Sequence, residues 1–434
     1  MMKNKTFKTV TRNGKRFNLL TLPDTNFFKF EIINNYGSNI ERVIKDKTGK
    51  NLYGISHFIE HLGFKSTKNF TTEELLSIGK NEGVFNASTG YDKISYWFKT
   101  TAKNTDLAIQ FVCNVALNDF KKINEKEFST EKKVVFNEAK RAQDNHQMMF
   151  YRNSFANMIG YESEDNTIGI PETIDTFTLD DAIAVKNIFL TNNQSNYNIT
   201  YDSTLMSEDD VINKVLSELS KFQVPHKDTL VVTHEEYLAH LKNPRIGNYK
   251  VESKSEQALT SIIIDSVENT LVSGATLYYL ASLAKGTSLD DLIRQKNGLT
   301  YGVQFYMHLI SYKPYASFIC DVTKGNEKKL MELFKESINL SADDFNEEKY
   351  NQYMKTAKLT RVLNNLNLES HNIWFHYDYL QSADLDAVRD TLAFNIEDAY
   401  KYVESEIITY SKMKESMENI RTLINNDIFG RVYT

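Results

Sequence analysis

Tyr53-Gly54-Ile55-Ser56-His57-Phe58-Ile59-Glu60-His61-Leu62-Gly63-Phe64-Lys65-Ser66-Thr67 carries, at its centre, two imidazoles four residues apart with a carboxylate beside the second. Ile55, Phe58, Ile59 and Leu62 recur at helical spacing, so the segment is expected to be a helix pinned to a core by that stripe. His57 and His61 are then neighbours one turn apart and can offer ring nitrogens to a single cation at about 2.0–2.1 Å. Glu60 points beside that cation, where a general base is needed to take a proton from an attacking water. The order is H-x-x-E-H, the reverse of the commoner H-E-x-x-H. A His pair at this spacing is by itself more often a surface coincidence than a site, so the flanking sequence decides.

Catalytic zinc normally has three protein ligands and an open position. The third is sought in Glu127–Asp144, a charged, helix-favouring run with Phe128, Val134, Val135 and Ala142 on a partial apolar face. Glu131 and Glu138, two turns apart, share one side of that helix. One can ligate while the other supports.

With these residues in hand, Tyr53–Thr67 resembles the signature of the insulinase/pitrilysin family of inverted-motif zinc peptidases, which includes the mitochondrial processing peptidases. Other stretches agree in order. Asn35-Tyr36-Gly37-Ser38 with Glu41 resembles the strand end ahead of the family's motif, and Asn86-Ala87-Ser88-Thr89 resembles its Asn-Ala-x-Thr edge strand. Arg294-Gln295-Lys296-Asn297-Gly298-Leu299-Thr300-Tyr301 resembles its second-half Arg…Gly-Leu-x-Tyr element. The resemblance implies one zinc ion per chain, held by His57, His61 and Glu138, with Glu60 as base and Glu131 supporting a ligand. It also implies that Arg294 and Tyr301 contact substrate. Two departures, Glu82-Gly83 for the usual Gly-Gly and Gln295 for the usual Glu, bear on the loop and on substrate contact rather than on the metal.

A chain of 434 residues exceeds what one core usually spans, so at least two domains are expected. Hydrophobic and charged fractions of 41% and 25% are globular values. A net charge of −6 without a basic stripe makes nucleic acid an unfavoured partner. Cys113 and Cys320 have no metal spacing and read as buried small hydrophobes. No apolar run reaches membrane-helix length, and Met1–Lys8 is not followed by a signal-peptide core, so a cytoplasmic location without membrane partners is expected.

The order of elements repeats. Strands around Phe17–Leu22 and Phe27–Asn34 precede the motif helix, followed by a helix at Thr72–Asn81 and strands through Val84–Thr100. In the second half, a strand at Leu259–Asp265 precedes helices near Ala275–Ala284 and Leu289–Lys296, then strands through Tyr301–Tyr312 and Tyr315–Thr323. Helices Asn346–Leu366 and Ile396–Asn426 follow. At the place of His57–His61 the second half offers Tyr278-Tyr279-Leu280-Ala281-Ser282, which has no ligand. The expected fold is α+β, with two homologous domains, each a mostly antiparallel sheet with helices on one face. The boundaries are 1–221 for the zinc-binding domain, a Pro-containing linker at 222–247, and 248–434 for a second domain that contributes substrate contacts.

The resemblance further implies that paired domains enclose a chamber for short or unstructured peptides. A chain with one such pair would complete it as a homodimer or as a heterodimer with a related subunit. Asn86 and Ala87 would add the peptide as a strand, Tyr301 would donate to the oxyanion, and Arg294 would hold a carbonyl or C-terminal carboxylate. The plainer readings are a packed strand tyrosine and a helix C-terminal cation. Two rivals remain: a peptidase that matures ribosomally made peptides with a partner subunit, and a non-catalytic structural subunit. The latter typically loses a ligand or the base, whereas here all are present. His146, His234, His240, His308, His371 and His376 lack zinc spacing and read as structural.

Overall fold

Alternation along the strand Phe27–Asn34 (β3) sets the layering of the first half. Phe28, Phe30 and Ile32 are fully buried in one apolar cluster, while Lys29 and Glu31 between them pair with each other on the opposite face. A pleat sends successive side chains to opposite faces, so one face takes helices and the other carries polar groups. On that polar face Asn18 donates to Asn198 at 2.9 Å, which satisfies two buried amides.

The computed structural model describes residues 6–145, 148–150, 152, 167–191, 195–222, 230, 232–233, 236, 247–250, 257–265, 271–282, 289–310, 313–365, 394–395 and 403–433. Two compact units emerge. The first comprises Met1–Asn145, Glu164–Lys242 and Ala387–Glu397; the second comprises His146–Ser163, Asn243–Asp386 and Asp398–Thr434. The expected linker lies outside the described residues except at 222, 230, 232–233, 236 and 247, and His146, His234, His240, His371 and His376 lie outside them too.

In the first unit, β1 (Thr6–Arg12), β2 (Lys15–Thr21), β3, β4 (Val84–Thr89), β5 (Ile94–Thr101), β6 (Ser195–Tyr201) and β11 (Phe394–Asn395) form one sheet in the order β11-β1-β2-β6-β3-β5-β4. All pairings are antiparallel except β2 with β6. Helices α1 (Ile40–Thr48), α2 (Ile55–Gly63), α3 (Thr72–Asn81), α4 (Thr105–Ala116) and α5 (Glu125–Asp144) follow the early strands. Ile40, Val43, Ile55, Phe58, Ile59, Leu62, Ile109 and Val112 from α1, α2 and α4 share the cluster that buries Phe17, Leu19, Tyr96 and Phe98 of the sheet.

The second unit holds β7 (Gly247–Lys250), β8 (Gln257–Asp265), β9 (Gln304–Ile310), β10 (Lys313–Thr323) and β12 (Gly430–Tyr433), ordered β7-β12-β8-β10-β9 with only β7–β12 parallel. Helices Leu271–Ser282, Glu327–Asp344, Glu347–Asn365 and Tyr410–Asn425 accompany it, and Phe318 of β10 packs on Phe334 with ring centroids 5.4 Å apart. Asp290–Lys296 is a π-helical turn rather than an α-helix. The α+β class is as expected, with sheets mixed by one parallel pair each. No helix among the described residues is long and apolar enough to cross a membrane.

Asp202, just after β6, ties the β2–β3 connection. Its carboxylate is buried and accepts the backbone N–H of Asp24, Thr25 and Asn26 at 3.0, 2.8 and 2.7 Å, and both the N–H and hydroxyl of Thr204. Burial pushes its pKa up, but these donors outweigh it and hold the group at about 2, against 3.8 ordinarily. A depressed carboxylate stabilises the fold above its unfolded pKa and ceases to as pH falls through the folded one. The contribution is on the order of 1–2 kcal/mol at neutral pH and shrinks as pH falls towards 3. Asp202→Asn should therefore unfold at lower urea at pH 7, with the gap from wild type narrowing towards pH 3. A gap that is constant with pH would remove the carboxylate as its cause.

Candidate metal centre

The motif helix α2 is short and lacks a side-chain cap of its own. Its first N–H groups are met from α1 instead: the buried carboxylate of Glu41 accepts from Gly54 N at 2.8 Å and Ser56 N at 2.7 Å. A carboxylate there satisfies orphan donors and opposes the positive helix end. Gly54 has φ +96°, and a Cβ would stand 2.6 Å from Gly169 Cα, so the turn into the helix admits only glycine. At the other end the Asn118 amide lies 3.3–3.5 Å from the carbonyls of Leu62, Gly63 and Ser66.

Between these ends Ile55, Phe58, Ile59 and Leu62 are buried, and Phe58 packs edge-on to Phe128 of α5, centroids 5.3 Å apart. That contact brings the two helices alongside. The remaining side of α2 carries His57, Glu60 and His61, all half-buried.

Helix α5 starts from a capping box, Asn124 with Glu127, and runs twenty residues. Its carboxylates bracket one imidazole. Glu131 Oε1 lies 2.8 Å from His61 Nδ1, and Glu138 Oε2 lies 3.6 Å from His61 Nε2. An ionised carboxylate only accepts, so Nδ1 carries the proton and Nε2 presents its lone pair towards Glu138. Lys65 Nζ sits 2.5 Å from the other oxygen of Glu131. His57 and His61 face each other nearly at right angles, ring centroids 4.7 Å apart.

One ligand atom from each of His57, His61 and Glu138 lies within 4.8 Å of the others. In a tetrahedron with bonds near 2.0–2.1 Å, ligand atoms stand about 3.4 Å apart, so a small contraction of these side chains would place all three on one ion. Two imidazoles and a carboxylate, with one nitrogen already oriented by a carboxylate partner, form a donor set that fits zinc with an open fourth position. Among the described residues no other group of three such side chains meets this criterion.

Charge follows the same geometry. Burial works against the charged form of His61, but the hydrogen bond and charge of Glu131, with Glu60 and Glu138, raise its pKa overall. Burial pushes Glu131 up, and His61 and Lys65 more than reverse that, leaving it ionised and fixed as an acceptor. Glu60 is raised: burial is the main cause, the Thr89 hydroxyl at 2.5 Å pulls the other way, and nearby Glu138 adds to the rise. A carboxylate raised in this way is a stronger base than a solvated one.

Glu131→Gln keeps the shape but weakens the hold on His61 Nδ1. It should lower zinc affinity about 10- to 100-fold while the protein remains folded, read by competition with a chromogenic chelator. Equal affinity would assign Glu131 to packing alone.

Asn86 and Ala87 lie on β4, the sheet edge among the described residues, with Asn86 exposed and Ala87 partly buried. Arg294 and Tyr301 belong to the second unit, where the guanidinium stands 5.2 Å from the centre of the tyrosine ring and Tyr301 is 85% exposed. That exposure disfavours the packed-tyrosine reading. Sequence reasoning gave no role to Lys65, Thr89, Glu41 or Asn118, although the first three stood in the stretches that carried the resemblance.

The sequence profile described as "Insulinase (Peptidase family M16)" matches residues 47–172. An "Uncharacterized zinc protease" of Rickettsia bellii (strain RML369-C) is 30% identical over 178 residues, 39% of each chain. "Zinc protease PqqE" of Helicobacter pylori (strain ATCC 700392 / 26695) is 30% identical over 216 residues, 48% of this chain and 44% of that protein. The matched stretches thus span less than half the length of either relative. A crystal structure of a protease from Helicobacter pylori superposes with a TM-score of 0.77 at 18% identity, covering 99% of both chains, a likeness of fold. The profile is seated on the helices that bear His57, Glu60, His61, Glu131 and Glu138, so it is this segment, residues 47–172, that matches the insulinase family, peptidase family M16.

Proposed function

We propose that the protein is a zinc-dependent endopeptidase acting on short or unstructured peptides within a chamber completed by a second subunit. The observation that carries the reading is the meeting of His57, His61 and Glu138 donors within 4.8 Å, with Glu60 beside them and engaged elsewhere.

In this reading His57, His61 and Glu138 hold one zinc ion per chain, which when bound supplies Lewis-acid polarisation to the hydrolysis. Glu60 accepts a proton from the attacking water and returns it to the leaving amine. Glu131, braced by Lys65, keeps His61 in the tautomer that ligates through Nε2. The open edge of β4 at Asn86 and Ala87 pairs with the peptide backbone, which holds an extended substrate with little regard to its side chains. Tyr301 donates to the developing oxyanion, and Arg294 holds a carbonyl or terminal carboxylate.

Arg294 and Tyr301 are proposed to act on the site of a partner copy, homodimeric or related. The support is that one unit carries the donor set while the other carries this exposed pair. Both cysteines are buried and unbonded, which accords with a reducing, cytoplasmic setting.

Digestion of a mixed peptide library by the zinc-loaded protein, with cleavage sites read by mass spectrometry, tests the activity. Zinc-dependent cuts that vanish with a chelator are expected, and an unchanged library sinks the reading. For the composite site, inactive Glu60→Gln and Tyr301→Phe chains are mixed under verified subunit exchange. Recovered cleavage is expected, and none would place the whole site in one chain.

A further inference from the structure

Thr89, the last residue of β4, donates from Oγ1 to Glu60 Oε2. Among the described residues it is the side chain that hydrogen-bonds the base. We infer that Thr89 is a positioning residue for Glu60: its hydroxyl fixes one carboxylate oxygen so that the other is presented to the reacting water. The role of Glu60 rests on the endopeptidase reading above; the manner in which it is held rests on geometry.

The pleat of β4 aims Thr89 correctly. Phe85, Ala87 and Thr89 are partly buried on one face, and Val84, Asn86 and Ser88 are exposed on the other. Phe85 packs on Phe64 just beyond the end of α2, ring centroids 5.2 Å apart, so this face of the strand turns towards the motif helix. The outer backbone edge of the strand stays open for a peptide. One strand therefore offers its edge to the substrate and its last side chain to the base.

Strand end and helix start are also registered to a single segment. The β4–β5 turn closes with Gly90 N on Lys93 O at 2.8 Å, and docks on the loop before α1 through Ser38 N to Gly90 O at 3.0 Å and Asn39 N to Tyr91 O at 2.9 Å. A Cβ at Gly37 would lie 2.2 Å from Gly90 O, so only glycine permits this approach. Glu41, two residues past that loop, caps α2. Gly37–Glu41 thus holds both the hairpin that carries Thr89 and the helix that carries Glu60. Glu60 has three side-chain torsions, and a single donor on so fixed a frame is what narrows them.

The test uses the full-length zinc-loaded protein with Thr89→Val, which keeps shape and strand preference but lacks the hydroxyl, and Thr89→Ser, which restores it. The valine variant is expected to lose about 10- to 100-fold in kcat, with KM within about twofold and zinc content unchanged; serine should stay within about threefold of wild type. Crystals of the zinc-loaded valine variant should show the Glu60 carboxylate moved from its wild-type position. Thr89→Ala takes its place in both measurements if valine misfolds. Unaltered kcat, an unmoved carboxylate, or serine as impaired as valine would each overturn the inference. A wild type that cuts no peptide defeats the endopeptidase reading instead, and the position of Glu60 in the crystals still decides whether Thr89 holds it.

Discussion

Glu60→Gln is expected to bind zinc as wild type does and to lose about 10²- to 10⁴-fold in kcat, the range a positioned general base contributes. The amide is nearly isosteric and can still accept from Thr89 Oγ1, so neither packing nor the helix should change. What disappears is the capacity to take a proton. Glu60, like Glu131, has no ligand atom in the triad of His57, His61 and Glu138, but where Glu131 bonds His61, the hydrogen bond of Glu60 points to the strand. Metal content and turnover should therefore separate cleanly in this variant. Zinc measured by plasma mass spectrometry alongside kcat on a fluorogenic peptide checks both. A variant emptied of metal would make Glu60 a ligand, and one that turns over normally would move the base elsewhere.

Much of this arrangement was legible in the sequence because it is local. Ile55, Phe58, Ile59 and Leu62 repeat with the helix, so the side of α2 that faces the core, and hence the side that bears His57, Glu60 and His61, follows from spacing. The same holds for Glu131 and Glu138 on α5, where two turns bring both carboxylates to one imidazole. Roles set by distant contacts were not legible. Glu41 caps a helix that starts fourteen residues later, and Asn118 reaches carbonyls more than fifty residues earlier, so neither leaves a signature in its own neighbourhood. Sheet order escaped for the same reason: β6 inserts between β2 and β3 from about 180 residues away, and β2–β6 is parallel, which no hairpin signal announces. Helix α4 was passed over because nearly all its positions are buried, which erases the one-sided stripe by which an amphipathic helix is recognised.

Glu138→Gln should behave in the opposite way to Glu60→Gln. Its side chain is about one-third exposed at 34% and is not among the buried residues of α5, unlike Phe128 and Val135, so unfolding should shift by less than about 0.5 kcal/mol. Zinc affinity, however, loses a negatively charged oxygen donor from a set of three. The fall should exceed the 10- to 100-fold expected when only a supporting carboxylate such as Glu131 is altered, so at least about 100-fold, or some 2.7 kcal/mol. Activity at limiting zinc should fall with occupancy and recover partly when zinc is raised, because Glu60 and His57 remain in place. The ranking is what tests the geometry: Glu138 lies at the Nε2 edge of His61, facing the shared donor cluster, whereas Glu131 lies at the Nδ1 edge, turned away from it. If Glu131→Gln emptied the protein of zinc while Glu138→Gln left it full, the two carboxylates would have to exchange roles, and His61 would bind through the other nitrogen.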